Sequence, residues 1–282
     1  MMSPKQLLTT ILIVFSTLSF IKLLLLTHSS AAASSSSPAR PLRSPWDDDR
    51  SGGSGNGTAI HGSLAAKELA LLRSLVAARA PCRLLVFGLS PQLLALAAAN
   101  SGHGAATAFV TDSDEDADGA RRVLGGAPGA AAIHRARYPD AAGEAWALLR
   151  RARASPVCRR PTGTVRKSGC RLALTSLPRE VLDARWDVVV VDGPSGAAAH
   201  EPGRMGPIYT AAALARAAAA AGGVEVDVAV HDVDRTVERW YAREYLCEDN
   251  LVAAKGRLWH FRVAASGGPS DAFCSTGPVQ IL

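Results

Sequence analysis

The chain has 282 residues with a net charge of +6, and 48% of its residues are hydrophobic. This length provides for one catalytic-sized α/β domain with a substantial core, once an amino-terminal extension is set aside. The positive charge suits an acidic polysaccharide or the headgroups of a membrane. Nucleic acid is not expected as a partner, because the basic residues are scattered and neither a series of stacking aromatic residues nor a known binding motif accompanies them.

An apolar segment near the amino terminus predicts a membrane anchor. The run Leu7–Leu26 contains one charged residue, Lys22, and about 20 apolar residues are needed to span a bilayer as a helix. Lys5 marks residues 1–6 as a cytosolic tail, so the rest of the chain is expected in the lumen. The alternative is a cleavable signal peptide, since the small residues Ala31–Ala33 suit a signal peptidase.

Residues 27–60 are typical of a flexible stem between the anchor and a folded domain. They are rich in Ser, Gly and Pro, carry an acidic patch at Asp47–Asp49, and contain few large apolar residues. The triplet Asn56-Gly57-Thr58 is an acceptor for N-glycosylation at Asn56, a modification made only on the luminal side. The stem is therefore expected to be luminal as well.

Cysteine usage is compatible with an oxidising lumen. The spacing of the cysteines does not match a zinc site, and an oxidising compartment allows up to two disulfides among them. The odd cysteine is then free or pairs between chains. The five cysteines are Cys82, Cys158, Cys170, Cys247 and Cys274.

Helices and strands alternate through the predicted folded domain at residues 61–274, which a tail at 275–282 follows. Apolar residues at helical spacing after Ser63 predict a lead-in helix that ends before Pro81. Strands are then predicted at Arg83–Phe87, Ala106–Val110, Ala131–Ala136, Trp186–Val191, Val224–Val230, Leu251–Ala254 and Leu258–Val263, and helices at 91–100, Ala142–Arg153, Ile208–Ala221 and Arg235–Tyr245. This alternation predicts an α/β fold with a doubly wound, mostly parallel sheet of Rossmann-type architecture.

Sheets of this type bind ligands at the carboxyl ends of their strands. Gly88 follows the first predicted strand and Asp112 the second, and such positions commonly hold a nucleotide-like cofactor whose ribose hydroxyls bond the acid. The loop at Gly88 has one glycine and falls short of a G-x-G-x-x-G fingerprint, so a plain structural turn is the alternative. For the acidic cluster Asp112–Asp116 the alternative is a solvated loop.

Three polar residues end the two strongest strands of the second half. Asp192 directly follows four valines, and His231 and Asp232 end the next strong strand. A sugar hydroxyl is a poor nucleophile, so transfer to it needs a general base or a metal, and a His/Asp cluster provides either. The alternatives are helix capping or loop bracing for Asp192 and a surface turn for the other two residues.

Arg204 is a candidate for substrate binding. The segment Glu201–Met205 combines a rigid turn with this cation, which suits it to gripping the carboxylate of a uronic acid through paired hydrogen bonds. A structural ion pair is the alternative. Ser195 is not in a G-x-S-x-G elbow, so a serine hydrolase is not expected.

Several segments, in the same order, resemble one known family. The stretch from about Cys82 to Cys274 is similar to the plant irregular-xylem and glucuronoxylan methyltransferase family. The similar segments are Leu84–Leu89, Trp186–Gly196, Pro202–Met205, Ile208–Ala212, His231–Glu238, Tyr245–Cys247, Gly256–Phe261 and Phe273-Cys274. Val237–Tyr241 and the ending from Trp259 to Cys274 are nearer the irregular-xylem branch.

The resemblance implies a Golgi type II membrane protein with a methyltransferase-like luminal domain that acts on glucuronoxylan or its precursors. Other xylan biosynthesis proteins are further expected partners. Enzymes of one branch move a methyl group from S-adenosylmethionine to the 4-hydroxyl of glucuronic acid side chains. The irregular-xylem branch has less certain chemistry, so a non-catalytic subunit of the xylan synthesis machinery is the alternative function.

Residues carry over from the family one by one. Its aspartate after the fourth strand corresponds to Asp192, its Pro-Gly-Arg-Met turn to Pro202–Met205, and its His-Asp pair to His231 and Asp232. Asp112 corresponds only loosely to the ribose-binding acid, and Ser195-Gly196-Ala197 departs from the family turn. Cofactor binding and the metal requirement therefore stay open at the level of sequence.

Overall fold

The structure, a computed structural model, describes residues 63–125, 131–160, 164–222, 224–264 and 272–274. The predicted anchor at Leu7–Leu26, the stem at 27–60, the acceptor Asn56 and the tail at 275–282 lie outside these residues and stay predictions. In the part of the chain that the structure describes, no helix combines the length and the apolar character needed to cross a membrane.

Seven strands of the described ranges form one sheet. They are β1 (Arg83–Phe87), β2 (Ala106–Thr111), β3 (Ala132–Arg135), β4 (Val188–Val191), β5 (Val226–Val230), β6 (Leu251–Lys255) and β7 (Leu258–Val263). Their order across the sheet is β3-β2-β1-β4-β5-β7-β6. Strands β1 to β5 pair in parallel, whereas β7 pairs antiparallel with both β5 and β6. The α/β fold is confirmed, but the sheet is mixed instead of mostly parallel.

The departure from a parallel sheet has a local cause in the connection between β6 and β7. Only Gly256 and Arg257 join these strands, and a two-residue connection can form only an antiparallel hairpin. Gly256 has a φ of 58°, a left-handed conformation that glycine adopts without steric cost. The predicted final pair of strands is therefore present, with β7 inserted between β5 and β6.

Helices cover both faces of this sheet. The described residues contain α1 (Ala66–Arg79), α2 (Pro91–Ala99), α3 (Asp114–Leu124), α4 (Ala145–Ala154), α5 (Pro156–Arg159), α6 (Arg179–Leu182), α7 (Met205–Gly222) and α8 (Thr236–Leu246). Helix α3 begins inside the acidic cluster, because Ser113 caps it and carboxylates are favourable in a first helical turn. The stretch Ser155–Gly169 contains α5 and a 3₁₀ turn at Val165–Lys167.

Two disulfides fix loops at the edge of the core. Cys158 is bonded to Cys170, and Cys247 is bonded to Cys274. Cys82 is a free, buried thiol, and burial raises its pKa to about 11. The expectation of up to two disulfides with one cysteine left over is confirmed, and the cysteine left over is the one next to β1.

The sheet separates two apolar layers. Alternate residues of a strand face opposite sides, so Leu84 and Val86 pack with α1 and α2, while Leu85 and Phe87 pack with α4, α7 and α8. All four side chains are fully buried. Burying one such side chain contributes about 1.5–3 kcal/mol, so the short apolar strands contribute substantially to core stability.

The strand order reverses between β1 and β4, and this reversal opens a crevice at the carboxyl ends of the two strands. Gly88 follows β1 with a φ of 113°, and Gly193 lies close to it after β4. A Cβ atom added to Gly193 would lie 2.6 Å from the Cα of Gly88. Neither position can therefore carry a side chain unless the two loops move apart.

Helix α1 runs along the sheet from its carboxyl edge to its amino edge. At one end Glu68 contacts His231, which follows β5. At the other end Arg79 contacts Asp227, near the start of the same strand. The helix rises by about 1.5 Å per residue and a strand by about 3.3 Å, so both contacts fit one helix lying beside one strand.

Candidate active site

The ends of β4 and β5 bring three predicted site residues together. The strands are neighbours in the sheet and Val191 pairs with Val230, so the residues that follow them lie side by side. Nδ1 of His231 lies 2.6 Å from Oδ1 of Asp192 and 3.5 Å from Oδ1 of Asp232. The predicted cluster at the carboxyl edge is present, and its surface-turn alternative is excluded because His231 and Asp232 are fully buried.

His231 is held between two carboxylates. Its Nδ1 faces Asp192, and its Nε2 lies 3.2 Å from Oε2 of Glu68. Burial opposes a charged ring, but the hydrogen bond to Asp192 and the charges of Asp192 and Asp232 outweigh it and raise the pKa of His231. The ring is therefore stabilised as an imidazolium with both N–H groups donated, and it has no free nitrogen with which to act as a base.

Glu68 is a site residue that the sequence did not indicate. It lies in the first turn of α1, is 1% exposed, and accepts hydrogen bonds from the backbone N–H groups of Ala65 and Arg257, both at 2.7 Å. Although burial acts in the opposite direction, these two hydrogen bonds lower the pKa of Glu68. The available signal was an acid in the first turn of a helix, which is typical of a residue that bonds back to the start of that helix.

Asp232 is surrounded by guanidinium groups. Its carboxylate lies 2.7 Å from Arg257, 3.0 Å from Arg204 and 3.0 Å from Arg235. Burial alone would favour the protonated form, but Arg204, His231, Arg235 and Arg257 lower the pKa of Asp232. Asp232 also has a φ of 60°, an uncommon backbone conformation for a residue other than glycine.

Arg204 lies inside this network and not on the surface. It is 2% exposed, its Nε donates to the carbonyl of Pro194 at 2.7 Å, and its Nη1 donates to the carbonyl of His231 at 3.0 Å. Its Nη2 lies 3.6 Å from Asp192. These contacts favour the alternative of a structural ion pair over a grip on a uronate, because Arg204 directly precedes α7 and its side chain is buried within the network.

Asp192 differs from Asp232 in its second oxygen: Oδ2 of Asp232 lacks a hydrogen bond but has two arginines at 3.0 Å, whereas Oδ2 of Asp192 has neither kind of contact among the described residues. The contacts of Asp192 to His231 and Arg204 both use Oδ1, and among the described residues Oδ2 has no hydrogen-bond partner. The side chain is 7% exposed, so it is nearly buried. The cluster thus presents one fixed carboxylate oxygen beside Gly88 and Gly193.

A metal ion does not fit the cluster as it stands. Ligand atoms of Asp192, His231 and Asp232 lie within 4.8 Å of one another, which is close enough for one ion to bridge them. However, His231 already bonds two carboxylates, and three guanidinium groups engage Asp232. These ion pairs occupy the groups that a metal would need as ligands.

The cofactor positions predicted at β1 and β2 lie next to this cluster or further along the same edge. Gly88 contacts the backbone of Asp192 and Gly193, whereas Asp112 follows β2 and its carbonyl accepts a hydrogen bond from Arg135 at 2.7 Å. Tyr138, which the sequence did not indicate, is buried, and burial together with the charge of Asp112 raises its pKa. Its hydroxyl has no hydrogen-bond partner among the described residues.

These features fit a nucleotide-like cofactor. At Gly88 and Gly193 the backbones that follow β1 and β4 lie close together with no side chain between them. The buried hydroxyl of Tyr138 near Asp112 is a polar atom that needs a partner. The ribose-binding role of Asp112 stays a prediction.

Comparisons with known proteins give a consistent result. A family model described as IRX15/IRX15L/GXM matches residues 67–261. Arabinogalactan O-methyltransferase 2 of Arabidopsis thaliana is 37% identical, over 74% of this chain and 71% of that protein. Glucuronoxylan 4-O-methyltransferase 1 of the same plant is 35% identical, over 73% of this chain and 70% of that protein. Protein IRREGULAR XYLEM 15, also of this plant, is 36% identical, over 69% of this chain and 59% of that protein. Among solved structures, a methyltransferase-like protein from Silicibacter pomeroyi is 17% identical, covers 74% of this chain and 90% of its own, and has a TM-score of 0.38.

Proposed function

The chain belongs to the IRX15/IRX15L/GXM family, and we propose that it acts in xylan biosynthesis as an S-adenosylmethionine-dependent methyltransferase. Its acceptor is the 4-hydroxyl of glucuronic acid side chains on glucuronoxylan. Relatives named as glucuronoxylan 4-O-methyltransferases support this acceptor. The proposal combines family membership with the chemistry that the cluster at the carboxyl edge can perform.

One observation carries the catalytic part of the proposal. Asp192 is fixed through Oδ1 by His231 and keeps Oδ2 for a ligand, at the point where the strand order reverses. This is where sheets of this type bind ligands. A buried carboxylate with one free oxygen is the group in the cluster that can accept a proton.

The roles of the residues follow from these contacts. S-adenosylmethionine, when bound, supplies a methyl group on a positively charged sulfur. Asp192 accepts the proton of the sugar hydroxyl through Oδ2 as the new O–CH₃ bond forms, while the electron pair of the broken S–CH₃ bond stays on sulfur. His231 holds Asp192 in place, and the guanidinium groups around Asp232 keep this edge from carrying an excess of negative charge.

Three positions are assigned to cofactor binding. Gly88 provides a loop without a side chain at the bottom of the crevice, and Asp112 provides a carboxylate for ribose hydroxyls. Tyr138 provides a buried hydroxyl that a bound nucleoside would satisfy. These residues follow β1, β2 and β3, which are consecutive strands along one side of the sheet.

Calorimetric titration of the purified full-length protein with S-adenosylmethionine tests the cofactor. We expect saturable binding, and methyl transfer to glucuronoxylan oligosaccharides detected by mass spectrometry. Absence of both binding and transfer would reject the enzyme and favour the alternative, a non-catalytic subunit of the xylan synthesis machinery. The similarity to Protein IRREGULAR XYLEM 15 is the observation that favours this alternative.

A second acceptor belongs in the same assay. Two relatives that are 37% identical to the chain are named as arabinogalactan O-methyltransferases. Arabinogalactan is therefore offered beside glucuronoxylan at equal glucuronate concentration. Transfer to glucuronoxylan alone supports the first proposal, and transfer to arabinogalactan alone moves the substrate to the second polysaccharide without changing the chemistry.

We also propose that the protein is a single-pass type II protein of the Golgi membrane with its folded domain in the lumen. The apolar run Leu7–Leu26 and the two disulfides support this location, since disulfides persist in oxidising compartments. Protease treatment of sealed Golgi vesicles should leave the domain intact until detergent is added. Digestion without detergent would reject the orientation.

A further inference from the structure

His231 bonds two carboxylates that come from different parts of the chain. Asp192 follows β4 and approaches Nδ1, whereas Glu68 comes from α1 and approaches Nε2. If His231 served only to hold Asp192, a single hydrogen bond at Nδ1 would be enough. A second carboxylate at Nε2 costs burial of another charge and so calls for an explanation.

We propose that Glu68 is a positioning residue, which acts through His231 to fix the carboxylate of Asp192 toward the crevice and makes α1 part of the active site. The catalytic role of Asp192 in this inference rests on the proposed function. Glu68 itself touches neither Asp192 nor the crevice. Its effect passes through the imidazole ring.

Every charged group that faces His231 has a place in this arrangement. Burial lowers the pKa of His231, Asp192 and Asp232 raise it, and Arg204 from the start of α7 lowers it. The carboxylate of Glu68 lies 3.2 Å from Nε2 of the ring. Arg257, in the turn between β6 and β7, donates its backbone N–H to Glu68. The imidazolium therefore has a carboxylate acceptor for each of its two N–H groups, which fixes both the plane of the ring and its charge.

The fixed ring in turn fixes Asp192. A ring with only one bonded nitrogen can rotate or lose its second proton, and the short contact at Nδ1 would then loosen. Glu68 cannot move away easily, because the N–H groups of Ala65 and Arg257 hold its two oxygens at 2.7 Å. The carboxylate is thus anchored at the start of α1 and at the hairpin of β7.

The variant Glu68→Gln tests the inference in the full-length protein. Glutamine keeps the size and one of the two acceptor oxygens but removes the charge and replaces the other oxygen with an NH₂ donor, so the imidazolium loses one of its supports. We expect the pH at which His231 loses its proton to fall, as seen from the ring ¹⁵N shifts of histidine-labelled protein. We also expect kcat for methyl transfer to fall about tenfold, while the KM for S-adenosylmethionine changes little.

The matched control is Glu180→Gln, an exposed acid in the first turn of α6. It should change neither the His231 shifts nor kcat. Glu68→Asp serves as a second variant if the glutamine variant fails to fold, since aspartate keeps the charge but withdraws it from the ring. It should lower the pH of His231 deprotonation as well.

The two readouts separate the possible failures. If Glu68→Gln lowers thermal stability but leaves the titration of His231 and kcat unchanged, Glu68 is only a structural residue and the inference is wrong. If the wild-type protein transfers no methyl group, the proposed function fails. The ¹⁵N titration still decides in that case whether Glu68 controls His231.

Discussion

Two buried networks of the same residue types lie on one face of the sheet, at opposite ends of β5. At the carboxyl edge, His231 bonds Asp192 and Glu68, and arginines surround Asp232. At the amino edge, a second network centres on one carboxylate. Asp227 contacts His260 at 2.8 Å, Arg262 at 3.1 Å and Arg79 at 2.6 Å. Helix α1 contributes one residue to each network.

The difference between the networks lies in what they leave unbonded. Both oxygens of Asp227 are engaged, because His260 and Arg262 bond Oδ1 and Arg79 bonds Oδ2. At the carboxyl edge, Asp192 keeps one oxygen without a partner among the described residues, next to the point where the strand order reverses. A buried His–Asp pair therefore does not indicate catalysis unless an oxygen or nitrogen remains for a ligand.

The largest expected effect is on the rate, from Asp192→Asn. Asparagine keeps the size of the side chain but cannot accept the hydroxyl proton as a carboxylate does, so kcat should fall about a thousandfold, within the usual range for general base removal. Methyl transfer to glucuronoxylan measures it, and circular dichroism confirms that the variant is folded. A folded variant with full activity would show that Asp192, like Asp227, only stabilises the fold.

The next effect is on stability, from Asp227→Asn. Removing this charge leaves His260 without its carboxylate and the two arginines with only their longer contacts to Glu225, at 4.0 Å and 3.7 Å, so the free energy of unfolding should drop by about 3 kcal/mol. Urea denaturation measures the loss. The rate of methyl transfer per folded molecule should stay within about twofold of the wild type, since Asp227 stabilises the fold and takes no part in the reaction.

A matched control for this variant is Asp183→Asn. Asp183 forms an ion pair with Arg166 at 3.2 Å, and both side chains are more than a third exposed. Surface pairs of this kind contribute about 0–1 kcal/mol. A loss in Asp227→Asn no larger than that of the control would contradict the bracing role.

A smaller effect is expected on cofactor binding, from Gly88→Ala. A Cβ atom at this position would lie 2.9 Å from the backbone nitrogen of Gly193 and would force a φ of 113° on a residue that disfavours it. The two loops must then separate, and the affinity for S-adenosylmethionine should fall about tenfold in calorimetric titration. This variant tests whether the loops at Gly88 and Gly193, in addition to the buried network, distinguish the carboxyl edge from the amino edge.

Gly104→Ala is the control for the backbone strain of a positive φ alone. Gly104 has a φ of 90°, but nothing lies within 4 Å of an added Cβ atom. Its cost should be limited to backbone strain, with no change in cofactor affinity. Equal losses of affinity in both variants would remove the crevice at Gly88 from the proposal.

The sequence predicted the parts of this edge that depend on strand pattern. Four valines followed by an aspartate indicated a buried strand with a carboxylate at its end, and the prediction of a cluster with His231 followed from strand adjacency. The role of the segment that contains Arg204 was harder to predict. Arg204 looked like a surface cation because its burial depends on α7 starting directly after it.

Residues far apart in the chain could not be joined from the sequence alone. Glu68 reaches His231 across 163 positions, and Arg257 reaches Glu68 from the hairpin between β6 and β7. The hairpin itself was predicted as two strands, but its insertion beside β5 depends on pairing that local pattern does not encode. The amino-edge network was missed for the same reason, since Asp227 and His260 meet only because β7 lies next to β5.

The smallest expected effect concerns pH and separates the two networks by sign. The pKa of His231 is raised above its ordinary value of 6.5 by the carboxylates that face it, although burial acts against this. Its contribution to stability is therefore fully present below about pH 6.5 and is lost as the pH rises through the folded-state value.

The pKa of Asp227 is lowered from 3.8 by His260 and Arg262 against the effect of burial. That contribution is present above about pH 3.8 and is lost as the pH falls through the folded-state value. Urea denaturation from acidic to alkaline pH should show the difference between wild type and His231→Gln shrinking above pH 6.5, while the difference for Asp227→Asn shrinks only in acid. His103→Gln, at an exposed position, should run parallel to the wild type throughout. A constant difference for His231→Gln across neutral and alkaline pH would show that the ring is not held as an imidazolium, and the carboxyl edge would lose the feature that positions Asp192.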